Sequence, residues 1–394
     1  MTRANDRWWI FVGTVFLSIS VNAFIIVPSS ITPLFLNAFD VGRQAIGYLV
    51  SVVFLGIILV QIPSGYVLDR FDNRRIVVPT TAGYVAVLLA MQFVDGYRML
   101  LALRFLGGLG VGIVYTTGAN VVAEVFADGR QSLATSVYIA SPPLSFAISH
   151  ATSPVIGMAV GPLGVFLLYA GMAVVGGILF WIAAGEPIES DTEPTGADFA
   201  TALAERDVLL VAFSAATMFV IYTFLNTWLP TFGTEVLRLS LSITGLVTAI
   251  VPVAGIVARP VGGVLSEVTG SRDRLVIGSG LAVASVLLLG VLGARSFGAF
   301  LALLASVAFA LQLGTGLYYV LIRDLSTPGT EGTSLTVLMT VLFMGSFTGP
   351  LLGGWLIANF SWAVAFAGVA ALGVAGTAAL GLVPAPADAS PSMR

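Results

Sequence analysis

The sequence repeats one element twelve times: an apolar run about twenty residues long or longer, closed off by glycine, proline or charge. The runs fall at 8–37, 43–68, 75–94, 98–123, 131–158 and 162–184. A second set falls at 207–236, 241–266, 274–294, 297–322, 332–358 and 361–383. Helix of about 20 residues crosses roughly 30 Å of hydrocarbon. An open sheet cannot do so, because its edge N–H and C=O groups would find no partner in lipid. Barrel strands would alternate apolar and polar over about ten residues, and these runs do not. Charged residues make up 9% of the chain, against about 25% in soluble domains, too few to cover a water-facing surface. The expected fold is an all-α membrane protein, with twelve transmembrane helices in two pseudo-symmetric six-helix bundles. Pro142-Pro143 interrupts the fifth run, so neighbouring helices must supply donors for the carbonyls that the prolines free.

Composition removes many chemistries. All 17 basic residues are Arg, and Cys is absent. A Walker A loop needs its Lys, so ATP hydrolysis by that motif is excluded. Disulfides, thiolate nucleophiles and Cys metal sites are excluded too. One His (His150) cannot make an HExxH zinc site. No cofactor or metal is expected, and no enzyme activity. The net charge of −3 suggests no nucleic-acid partner. The expected partners are the lipid bilayer, a small solute and, if transport is coupled, an ion, with the chain acting as a monomer. Lysine avoidance with acidic loops fits a salt-adapted microbe or GC-rich coding.

Arginine placement predicts orientation. With a cytoplasmic N-terminus, inside segments hold eleven Arg, from Arg3 to Arg394, and outside loops hold four (Arg43, Arg98, Arg238, Arg295). By the positive-inside rule both termini are cytoplasmic, in the plasma membrane. Arg3 and Arg7 precede a long apolar run without a small-residue cleavage site, which reads as a retained signal-anchor. Residues 185–206 form an acidic cytoplasmic linker, with a short surface helix expected near 197–205. They divide the chain into an N-terminal bundle, 1–184, and a C-terminal bundle, 207–394.

The halves share an element. The second run ends Gly65-Tyr66-Val67-Leu68-Asp69-Arg70-Phe71-Asp72-Asn73-Arg74-Arg75. The eighth ends Gly263-Val264-Leu265-Ser266-Glu267, then reaches Arg272 and Arg274, an offset of 263 − 65 = 198 residues. Such duplication is typical of transporters. Gly65 to Arg75 resembles motif A of the Major Facilitator Superfamily, G-x-x-x-D-R-x-x-R-R, between helices 2 and 3. Arg104-Phe105-Leu106-Gly107-Gly108-Leu109-Gly110 is similar to that family's R-x-x-x-G-x-G in helix 4. The resemblance covers nearly the whole chain. It implies transport by alternating access, with Arg104, Gly108 and Gly110 as the second motif. It also implies a cytoplasmic latch built from Asp69, Arg70, Arg74, Arg75 and Glu124. Asp69 beside the N-terminus of helix 11 would be stabilised by about 0.3–1 kcal/mol when exposed.

Arg104 and Arg259 lie within apolar runs. A charge at mid-membrane costs about 2.5–3.5 kcal/mol on insertion scales, so it faces a cavity or a partner. Arg259 lies eight residues before Glu267, or about 12 Å along a helix, and no carboxylate matches its depth. A guanidinium without a deep carboxylate suggests an anionic guest; Arg104 reads as structural or gating. Ala258-Arg259-Pro260-Val261-Gly262-Gly263 also looks like the eighth helix of nitrate/nitrite porters. Their matching Arg in helix 2 is here Gln61, and their Gly/Asn-rich helix 5 signature is replaced by Ser141-Pro142-Pro143. A small organic anion, or cyanate, is therefore expected rather than nitrate.

Polar residues share faces of helices 1, 7 and 10: Ser18 with Asn22, Tyr222 with Asn226, and Gln312 with Thr315 and Tyr319. The candidate substrate-binding residues are Arg259, Asn22, Tyr222, Asn226, Gln312 and Tyr319. Interhelical hydrogen bonding is the alternative role for the polar ones. His150 reads as structural. Gly345 to Gly354 matches an antiporter motif displaced from helix 5 to helix 11, and reads as close helix packing. Without a deep acid, carboxylate-based proton coupling lacks support, and uniport or anion exchange stays open. A multidrug or hydrophobic-solute exporter and a transporter-like sensor are the competing functions.

Overall fold

Tyr169 Oη donates to Ser149 Oγ at 3.1 Å, across 20 residues of sequence. A straight helix would hold the two about 30 Å apart. In this computed structural model the long helix Gln131–Ala183 therefore folds back on itself, at Gly161. The φ of 81° there suits glycine alone. The described residues are 4–68, 72–126, 130–184, 205–270, 272–327 and 330–384. The expected surface helix and the linker, except Glu205 and Arg206, lie outside them.

Among the described residues, eleven helices are long and apolar enough to cross a membrane. The fold-back at Gly161 turns one of them into two crossings, giving twelve. We number these α1–α12. α1 is Ala4–Ser30, resuming after Ile31 as Thr32–Phe39; α2 is Gln44–Leu68, α3 Asn73–Ala90 and α4 Tyr97–Val125. α5 and α6 are the limbs 131–160 and 162–183. α7 is Arg206–Glu235, α8 Leu241–Val268 and α9 Asp273–Val291. α10 is Phe297–Gln312 resuming as Leu317–Leu325, α11 is Glu331–Asn359 and α12 is Trp362–Gly381. Helix α5 runs through Pro142-Pro143 without a break, as the sequence requires if the freed carbonyls find donors. Ser141 Oγ donates to the Tyr138 carbonyl at 2.6 Å, and Arg259 Nη1 donates to the Ile139 carbonyl at 3.4 Å.

Packing repeats between the halves. α1 packs on the α5–α6 pair and α2 on α4, while α7 packs on α11 and α12, and α8 on α10. Between the halves, α2 meets α11, α5 meets α8 and α1 meets α7. Adding six to each number of the pair α5 and α2 gives α11 and α8. The two main contacts between the halves are thus related by a pseudo-twofold axis.

Arg104 is fully buried within the first half. Pro28 has no N–H, so the carbonyl of Phe24 loses its helical donor. Arg104 Nη1 donates to that carbonyl. Its Nη2 reaches the Ile25 carbonyl at 2.9 Å and its Nε the Leu49 carbonyl at 2.9 Å. The guanidinium also lies 4.4 Å from the Phe24 ring centroid, a cation–π contact. One side chain thus ties α4 to α1 and α2. Gly108 permits the same approach: a Cβ there would stand 2.9 Å from Val53 Cα.

Arg104→Leu leaves two helix-1 carbonyls without this donor and should cost on the order of 3 kcal/mol. The check is a lowered thermal midpoint in detergent. Arg104→Lys should not restore it, because an ammonium lacks the planar fork.

Candidate substrate cavity between the halves

The contacts between the halves concentrate on one side of the membrane. The chain enters α1, leaves α6 and enters α7 on what we term the terminal face. On the opposite face Arg43 Nε donates to Glu235 Oε1 at 2.7 Å, joining the α1–α2 loop to the end of α7. One turn inward, a Cβ on Gly47 would stand 2.7 Å from the Pro350 carbonyl oxygen. Ser51 Oγ donates to the Phe347 carbonyl at 2.7 Å. Between α5 and α8, a Cβ on Gly245 would collide with the carbonyl oxygen of His150. Small residues therefore let both pairs of helices close on this face.

A cavity of about 420 Å³ lies below these contacts, within the usual range for small-molecule sites. Its wall reaches Val122 and Thr135, near the terminal-face ends of α4 and α5. The first half contributes Asn22, Phe54, Tyr115, Tyr138 and Phe146, and the second contributes Phe219, Tyr222, Arg259, Tyr319 and Phe343. The rings of Phe146 and Tyr222 stack across the halves, with centroids 6.1 Å apart at 9°.

Arg259 is the cationic group of this wall. Its Nη1 makes the long bond to Ile139, its Nε is buried without a hydrogen-bond partner, and no carboxylate among the described residues pairs with it. Pro143 positions it by exposing the Ile139 carbonyl that it holds. Most of the guanidinium's donors are left without a hydrogen-bond partner among the described residues.

The other sequence-predicted residues divide. Asn22, Tyr222 and Tyr319 line the cavity. Asn22 Nδ2 donates to the Ser18 carbonyl at 2.8 Å, and Tyr319 Oη donates to Met339 Sδ at 3.2 Å. Asn226 and Gln312 sit behind the wall. Asn226 Nδ2 donates to the Tyr222 carbonyl at 2.8 Å. Gln312 Oε1 accepts from Thr315 Oγ1 at 2.7 Å, and Thr315 reaches the cavity in its place. Of the expected latch, Asp69 and Arg70 lie outside the described residues. Gly65 and Arg74 are helical, their surroundings undescribed; Arg75 and Glu124 are exposed. Arg75 Nε stands 3.9 Å from Asp72 Oδ2.

Sequence reading missed the aromatic wall: Phe54, Tyr115, Tyr138, Phe146, Phe219 and Phe343. Aromatic residues facing lipid, a neighbouring helix or a cavity look alike in a continuous apolar run. The one local signal was Pro142-Pro143, which marks the stretch of α5 that the cavity uses.

The Major Facilitator Superfamily model matches residues 9–318. The chain belongs to this superfamily of transporters. It is 23% identical over 381 residues to a probable galactarate/D-glucarate transporter of Escherichia coli K12, covering 84% of this chain and 85% of the relative. It is 24% identical over 336 residues to the 3-(3-hydroxy-phenyl)propionate transporter of the same strain, covering 82% and 80%. Its fold is similar to that of a bacterial homolog of the human lysosomal transporter Spinster, crystallised inward-facing and unoccupied. The TM-score is 0.78 at 15% identity, covering 97% of this chain and 96% of that one. The chain is thus a multi-pass membrane transporter rather than an enzyme.

Gly245→Val should leave each half folded but hold α5 and α8 apart on the opposite face. The protein contains no Cys, so Asn22→Cys introduces one thiol into the cavity. With Gly245→Val, that thiol should react several-fold faster with a membrane-impermeant reagent applied from the opposite face.

Proposed function

We propose that this protein carries a small monocarboxylate with an aromatic or apolar body across the plasma membrane by alternating access. One observation carries the reading: a guanidinium without a carboxylate partner in an aromatic cavity between two half-bundles. Arg259 takes the carboxylate through paired N–H donors. The rings of Tyr115, Phe146, Tyr222 and Phe343 cover the body. Asn22, with Asn226 and Gln312 held behind the wall, orients the polar edge.

Two relatives frame the choice of substrate. One is a probable carrier of galactarate, a polyhydroxylated diacid; the other carries an aromatic monoacid. A diacid with four hydroxyls needs donors at both ends and along its length. This wall offers one cation and mostly aromatic carbon, which suits the aromatic acid. A hydrophobic-solute exporter is the second reading; the aromatic lining favours it and the unpaired Arg259 opposes it.

The eleven-to-four arginine bias supports a cytoplasmic terminal face. The cavity then belongs to a state closed to the outside. In the other state, Asp69, Arg70, Arg74 and Arg75 after α2, with Glu124 of α4, would close the cytoplasmic face.

The test is exchange in proteoliposomes preloaded with 4-hydroxybenzoate, challenged with labelled 4-hydroxybenzoate, galactarate, a neutral phenol or a lipophilic cation. Wild type should exchange the aromatic acid best. Arg259→Gln should reduce that exchange roughly 10- to 100-fold, as loss of a charge-assisted bond of about 1.5–3 kcal/mol implies. Unchanged exchange by Arg259→Gln would remove Arg259 from the site.

A further inference from the structure

One turn beyond the Phe146–Tyr222 stack, towards the closed face, lies His150 on α5, the chain's one histidine. It is fully buried. Its Nδ1 is 2.9 Å from Ser30 Oγ on α1, and the ring also interacts with the side chain of Asn226 on α7. Neither His150 Nε2 nor Asn226 Oδ1 has a completed hydrogen bond. The carbonyl of His150, freed by Pro154, lies against Gly245 of α8. The ring therefore stands where both halves meet and where the opposite face must part.

Among the described residues, no charged side chain interacts with the ring. Ser30 faces it from α1, Asn226 from α7 and Gly245 from α8. On α6 Tyr169 is engaged with Ser149, and on α7 Tyr222 is one turn away. Glu235 lies nine residues past Asn226, and Arg259 fourteen past Gly245. Yet the hydrogen bonds accommodate a second ring proton. Ser30 Oγ can donate either to Nδ1 or to the Ile26 carbonyl, 3.4 Å away. When Nδ1 carries a proton, the hydroxyl turns to Ile26 and accepts from the ring, while Asn226 Oδ1 offers an acceptor that has no partner. What the closed site lacks for an imidazolium is a counter-ion.

We propose that His150 gates the opposite face: protonation of its ring opens that face, and loss of the proton lets it close. With the face open, water reaches the ring and a proton adds to its free nitrogen. The protonated site cannot close over an uncompensated charge, so the ring must lose its proton before α5 and α8 meet again. The inference rests on alternating access, and its proton-driven opening does not depend on which solute is carried.

The protein without added solute tests this. Spin labels at Asp95→Cys and Arg295→Cys report the separation of the halves on the opposite face, and no native Cys interferes. Between pH 8 and 5, across the range where imidazole titrates, wild type should gain a longer-distance population as pH falls. His150→Gln should show no such gain. Wild type without a pH response overturns the proposal, and so does an equal response in His150→Gln, which would assign the effect to the Arg43–Glu235 pair or another group. Should His150→Gln fail to fold, Asn226→Asp decides. A carboxylate beside the ring should hold the face closed in acid, and acid opening as in wild type overturns the proposal.

Discussion

A helix in lipid cannot leave a carbonyl to water, and this structure depends on how it answers that demand at its prolines. Pro28, Pro142 and Pro143 each delete a donor in the middle of a crossing helix. Arg104, Ser141 and Arg259 restore one each. A guanidinium in this role does more than repair a helix, because it reaches across to another one. Arg104 spends its three nitrogens on carbonyls of α1 and α2 and makes the first half rigid. Arg259 spends one on α5 and belongs to α8, so its bond crosses between halves. The same chemistry gives a fixed joint in one place and a contact between moving bodies in the other.

Glycine placement completes that division. Along the opposite face, Gly47 and Gly245 let α2 approach α11 and α5 approach α8 until backbone meets backbone. These two contacts are equivalent under the pseudo-twofold, so a rocking motion loosens both together. Nearer the terminal face α2 and α11 carry rings instead: Phe54 meets Phe343 at 6.4 Å between centroids, and Tyr115 of α4 meets Phe343 at 6.1 Å. Bulk there keeps α2 and α11 apart and leaves the cavity. Residue size along this helix pair sets which side closes.

The architecture was legible because lipid imposes it: run length, charge poverty and the 198-residue repeat each follow from the solvent. Pro142-Pro143 weakened α5 as a sequence segment, and its rescue was foreseeable in kind but not in partner, since Arg259 lies 120 residues from Ile139. Gly161 was legible as a boundary, between Val160 and Pro162. The breaks at Ile31 and between Gln312 and Leu317 were not, because apolar flanks hide a change in helix direction. Arg259 stood out as a charge in an apolar run, whereas the aromatic wall did not. Depth and charge are written along one helix, but a shared wall depends on the relative rotation of many.

A solute can bias a two-state equilibrium only if it contacts the two states differently. A ligand held by one half alone would be carried passively as the halves rock. Here the wall is divided: Asn22, Tyr115 and Phe146 belong to the first half, Tyr222, Arg259 and Tyr319 to the second. An anion on Arg259 with its body against Phe146 would touch both, so binding energy would depend on how far apart they stand. Arg259 need not release Ile139 to take a carboxylate, because one of its five N–H donors holds that carbonyl. The proline-freed carbonyl would then fix the guanidinium before the solute arrives, reducing the ordering cost of capture.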